Sequence, residues 1–145
     1  MAKRVIHAAV KAGVTITPGD AEFLRGLPRR FFRVSTPWAA DRERFVHEAL
    51  TWIGTPYHPH ARVKHGGVDC AQFLAGAAEG AGLVMGSVDL RRDYSIAKPA
   101  GNEYTDLILR YCYEIPETDA QRGDIVLYKT GHGWMHSGIV LDWTE

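Results

Sequence analysis

At 145 residues the chain is long enough for one domain with a hydrophobic core and leaves little room for a second. Its composition, 46% hydrophobic and 23% charged, is that of an ordinary globular protein. The 17 basic and 17 acidic side chains cancel, which removes the net basic footprint of a nucleic-acid binder, so no nucleic-acid partner is expected.

The opening run MAKRVIHAAVKAGVTITPG is broken by Lys11 and lacks the apolar stretch of a signal peptide. Nothing approaches the roughly 20 apolar residues of a membrane span. The chain is therefore expected to be made in the cytoplasm and to have no membrane span. Residues 1–35 carry RGLPRRFFRVS, in which Arg25, Arg29, Arg30 and Arg33 are interleaved with Phe31 and Phe32. They read as an N-terminal arm packing its phenylalanines on the domain, or as a segment that docks a partner protein. The domain proper is expected over residues 36–145.

From Thr36 the helix signals are clean. TPWAADRERFVHEALTWIG offers Thr36 as N-cap, Pro37 at the first helical position and Gly54 past the end. Phe45, Ala49, Trp52 and Ile53 share one face. TPYHPHARVKHGG follows as a loop. The spacing predicts a helix over Cys70–Ala81, with a small-residue stripe that can lie close to a sheet and with Gly80 and Gly82 at its end. NEYTDLILRYCYEI reads as another helix. RGDIVLYKTG and MHSGIVLDW then read as an antiparallel hairpin. Helices followed by strands indicate an α+β domain.

Cys70 and Cys112 are the only cysteines, too few for a disulfide framework, although a single bridge stays open by counting. Cys112 reads as a packed thiol. Cys70, after Asp69 at the mouth of a helix, has the position of a nucleophile. The helix N-terminus favours thiolate and lowers the pKa from about 8.5, and its N–H groups can hold an oxyanion. Of the seven histidines, His7 and His47 read as solvated or packed and His132 as exposed in the hairpin turn. His136 opens a strand with Gly138 two residues on, and is the candidate general base.

WIGTPYHPHARVKHGGVDCAQFLAGAAEGAGL followed by RGDIVLYKTGHGWMHSGIVL resembles the NlpC/P60 cysteine peptidases, from about Trp38 to the C-terminus. The shared pattern is a Gly-Thr-Pro-Tyr loop, an Asp-Cys at a helix start, a Gly-Asp-hydrophobic strand and a His-x-Gly-Ile strand. The resemblance implies a papain-like α+β fold, with the Cys-bearing helix packed on an antiparallel sheet. It implies Cys70 as nucleophile, His136 as base, Tyr57 near the oxyanion and substrate, and Asp69 where the amino end of a stem peptide binds, with no metal or cofactor. The implied reaction is hydrolysis of an amide in the peptidoglycan stem peptide, typically between D-glutamate and the diamino acid. Without a signal peptide the chain is most similar to the phage branch, which implies tail or baseplate proteins as partners and the virion as its place of work.

Two departures stand out. Ala71-Gln72 replaces the usual small residue and glycine after Asp-Cys, and Gln72 either shapes the substrate pocket or faces solvent. The polar residue, often His, that orients the imidazole from the strand after the base has no match before Glu145, and Asp142 is poorly placed for it. The triad is then completed from elsewhere, dispensable, or broken, and a structural tail component with little chemistry is the rival reading. A second rival is a metal held by His58, His60, His65 and Cys70, although their spacing matches no usual zinc arrangement. Arg62, Lys64 and His65 either pair with a substrate carboxylate or belong to a solvated loop.

Overall fold

A computed structural model of the chain describes residues 3–19, 21–36, 38–84, 103–131 and 133–144. The segment expected as an arm supplies half of the main sheet. β1 (Lys3–Ala9) and β2 (Gly13–Pro18) form an antiparallel hairpin, and β3 (Arg29–Val34) lies elsewhere in the same sheet. Period-two alternation explains this: Ile6 and Ala8 enter one core, whereas Val5 enters another on the opposite face. Phe31 and Phe32 are likewise split between the two faces. The arm boundary at residue 35 is thus corrected: one sheet joins the N-terminal strands to the rest. The interleaved arginines are paired, Arg29 with Glu117, Arg30 with Glu114 and Arg33 with Asp124.

The first helix, α1, runs Ala39–Leu50. Its N-cap is Trp38 rather than Thr36, whose hydroxyl accepts from Trp38 N–H and donates to Asp41. Pro37 lies outside the described residues. Phe45 and Ala49 are buried as expected; Trp52 is buried beyond the helix end, and Ile53 is exposed. The loop then forms a small ladder, β4 (Arg62–Val63) with β5 (Gly67–Val68), ahead of α2 (Cys70–Gly80).

The predicted third helix is shorter than its apolar pattern. α3 covers Glu103–Tyr111, and Cys112–Ile115 becomes β6, paired with β3 through Val34↔Cys112 to Phe31↔Ile115. Pairing to an open sheet edge and the burial of Cys112 and Ile115 override helix propensity there. A 3₁₀ turn at Glu117–Asp119 leads to β7 (Ile125–Thr130) and β8 (Gly133–Trp143), the expected hairpin. His132, in its turn, lies outside the described residues.

The six strands run β2-β1-β8-β7-β3-β6 with every neighbouring pair antiparallel. One face is covered by α1, α2 and α3. The other carries a smaller core of Val5, Phe31, Val126, Tyr128, Val140 and Trp143, covered in part by Leu24 and Ala120. The molecule is therefore α+β with an antiparallel sheet, and both cysteines are free. No helix among the described residues is long and apolar enough to cross a membrane.

Candidate active site

Asp69 starts α2. Its backbone is extended, and its carboxylate accepts the Gln72 N–H at 2.8 Å through Oδ1. The other oxygen accepts the His60 N–H at 2.7 Å, which ties the loop to the helix start. Asp69 is fully buried. A carboxylate so placed caps the helix and ties down the loop before it.

Cys70 is the first residue of α2, and its sulfur meets β8. Sγ donates to Met135 O at 3.3 Å, and the backbone N–H groups of Ser137, Ala71 and Cys70 itself point at the sulfur. Ser137 Oγ in turn donates to Cys70 O at 3.3 Å and shares a 2.7 Å bond with Tyr104 OH. The thiol is thus braced on the strand immediately before and after His136. A β-bulge makes this contact available: Tyr128 pairs His136 and Lys129 pairs Trp134, so Met135 is the extra residue.

The electrostatics run against the expected thiolate. The N–H groups lower the thiol pKa, but burial and then the Asp69 carboxylate push it up, to about 12. Only 4% of Cys70 is exposed, so desolvation wins over the helix terminus. Tyr57 is half-buried near the sulfur, held by a bridge to Val68. Burial, followed by the charges of Cys70 and Asp69, raises its phenol.

His136 is brought to the same point of β8, but its ring lies on the other face of the strand from Ser137. Nε2 is 2.8 Å from His7 Nδ1, the two rings meet edge to face at 5.0 Å, and Tyr128 lies 6.0 Å away. His7 Nε2 is 2.8 Å from Thr17 Oγ1. Burial holds His136 down to about 4, and burial together with the His136 charge holds His7 down to about 3. Both rings are therefore neutral near pH 7. The sulfur meets the β8 backbone at Met135 and Ser137, the His136 ring meets His7 and Tyr128, and no hydrogen bond joins sulfur to imidazole among the described residues.

His7 is packed, one of its two expected states, but its contact with His136 is not legible in the sequence. The alternation of VIHA marks a strand, but its partner strand is 129 residues on, beyond the reach of any local pattern. Asp142 pairs with Arg4, away from the imidazole. Gln72 is neither solvent-facing nor free: it is fully buried and accepts Arg62 Nε at 2.7 Å, while Arg62 also pairs with Glu79. Arg62 thus fastens the β4 loop to α2 and is not open to a substrate carboxylate. Lys64 bonds Glu48 and Thr51. Among the described residues no three His, Cys, Asp or Glu side chains group closely enough to hold a metal ion, which removes the support for a His58, His60, His65 and Cys70 site.

No family model, no curated protein and no solved structure matches the chain.

Proposed function

We propose that the protein is a cysteine peptidase of papain-like, NlpC/P60-like design that hydrolyses an amide in peptidoglycan stem peptides, between D-glutamate and the diamino acid. The observation that carries this reading is the seat of Cys70: a thiol at a helix start, ringed by backbone N–H groups and braced on both sides of His136. The sequence motifs supply the substrate class. A tail or baseplate setting, in which the virion brings the enzyme to the wall, follows from the same resemblance.

The reaction runs through this chain's own groups. Cys70 sulfur attacks the amide carbonyl as its proton passes to His136. The N–H donors at the start of α2 hold the oxyanion, with Tyr57 beside them. His136 then gives the proton to the leaving nitrogen, the C–N bond breaks, and a thioester remains on Cys70. Water, deprotonated by His136, attacks that thioester; the carboxylate product leaves and the sulfur recovers its proton. Before attack the thiol must exchange its Met135 O partner for the imidazole.

A second reading has its own observation. Burial pushes the Cys70 thiol up and the His136 imidazole down, and both shifts oppose a thiolate–imidazolium pair. Catalysis therefore needs proton transfer concerted with attack. A tail or baseplate component that keeps the fold and has no turnover needs neither.

Digestion of purified peptidoglycan by wild type and Cys70→Ala, with mass analysis of the fragments, separates the two. The peptidase reading expects new stem-peptide termini from wild type alone. Identical fragments from both proteins would leave the structural reading.

A further inference from the structure

The ring of the base expected at position 136 is held by a residue far from it in the sequence. His7 reaches it from β1, the strand that lies against β8 on the side away from β7. His7 is 1% exposed, its Nδ1 is 2.8 Å from His136 Nε2, and its own Nε2 is 2.8 Å from Thr17 Oγ1 on β2. Phe23 stacks over the His7 ring at 5.9 Å with planes 14° apart. Both ring nitrogens of His7 are engaged, and the ring is held by packing.

We infer that His7, supplied by the N-terminal hairpin, is the positioning residue of the Cys70–His136 pair. The inference rests on the peptidase reading above. The two distances allow the hydrogen-bond chain to run in either direction, and catalysis selects one of them. His136 Nε2–H donates to His7 Nδ1, and His7 Nε2–H donates to Thr17 Oγ1. That direction makes Nδ1 the unprotonated nitrogen of His136 and so the atom that takes the Cys70 proton. When His136 becomes imidazolium, its Nε2–H keeps a neutral acceptor, because burial keeps His7 unprotonated. The reverse direction, with Thr17 donating to His7 and His7 Nδ1–H donating to His136, would leave His136 Nδ1 protonated and useless as a base. Orienting the ring and fixing its tautomer are the two tasks of the third member of a nucleophile–base–orienter set. Here the chain order becomes orienter, nucleophile, base.

The test joins a spectroscopic readout to a kinetic one. Histidine side-chain ¹H–¹⁵N correlation spectra at pH 7 on the full chain should show His136 protonated at Nε2 in wild type. His7→Phe, which removes the acceptor and keeps an apolar ring, should lose that fixed tautomer. It should also lower kcat for stem-peptide release from peptidoglycan by about a hundredfold, the scale of an ångström-sized misplacement, with KM little changed. His7→Asn, whose side-chain oxygen can stand where Nδ1 stood, should recover most of both. The inference is overturned if wild-type His136 is protonated at Nδ1, or if His7→Phe keeps the wild-type tautomer and kcat. Loss of activity in His7→Phe together with a collapsed spectrum, and no recovery in His7→Asn, would assign His7 to folding alone and also overturn it. Failure of the peptidase reading is seen separately, as wild type and Cys70→Ala releasing the same fragments, whatever tautomer His136 holds; it would remove the catalytic half of the inference.

Discussion

At the scale of single residues, the site is decided by burial more than by helix polarity. The α2 terminus and three N–H groups favour the Cys70 thiolate, but a nearly inaccessible sulfur beside a buried carboxylate stays protonated. Iodoacetamide should therefore alkylate Cys70 slowly at pH 7, with a rate that is still climbing at pH 11. Peptide mapping of the alkylated chain from pH 5 to 11 checks this, and a rate that levels off below neutrality would show an ion pair instead. The base gives a complementary expectation. His136 is held down to about 4, so it is neutral above that value and is lost as a base only when pH falls through it. The acid limb of kcat/KM should lie near pH 4 rather than near the 6.5 of a free imidazole. Initial rates measured over short times, before acid unfolding, test it.

Elements hold these residues in register, and two contacts carry much of that work. Asp124, fully buried at the start of β7, accepts two 2.8 Å bonds from the Arg33 guanidinium on β3 and a third from Gln121 N–H. Removing one partner of such a pair strands the other, so Asp124→Ala should lower unfolding free energy by about 3–5 kcal/mol in urea titration. A loss under 1 kcal/mol would show the pair to be dispensable. Gly76 is where α2 passes Trp52: a Cβ there would come within 2.7 Å of the indole. Gly76→Val should cost roughly 1–3 kcal/mol by overpacking and shift the Cys70 end of the helix, read as a lower Tm and a changed alkylation rate.

How much of this was legible follows from how local each signal is. α2 was readable because its small-residue stripe and the glycines at its end, Gly80 and Gly82 with φ 72°, are local signals. The β7–β8 hairpin was readable for the same reason. The place of β1 beside β8, and His7 as a partner of His136, were not recognised, because both depend on pairing across nearly the whole chain. Cys112–Ile115 was misread as helix because only the edge of β3 makes it a strand.

Across the whole molecule, the N-terminal strands are part of the sheet that carries the site. A chain beginning at Thr36 loses β1, β2 and β3, and should give neither a cooperative unfolding transition nor protected amides. The two buried neutral histidines also set an acid limit. Their folded-state values, about 3 and about 4, lie below the unfolded 6.5, so the unfolded chain binds more protons in between. Their stabilisation is complete above pH 6.5 and is lost as pH falls toward 4 and then 3. Tm should therefore drop steadily between pH 6.5 and 4.5, and less steeply in His7→Asn, which removes one of the two groups. An unchanged slope would mean that His7 is not buried neutral.

The central claim is that the sulfur of Cys70 attacks a stem-peptide carbonyl with help from His136. The most direct measurement is covalent capture: a stem-peptide analogue carrying a nitrile at the scissile carbonyl of D-glutamate, followed by intact mass and peptide mapping. The account predicts one adduct per chain, on Cys70, formed by addition of S–H across the nitrile, absent in Cys70→Ala and far slower in His136→Ala. An unmodified wild-type protein, or an adduct on Cys112, would contradict it.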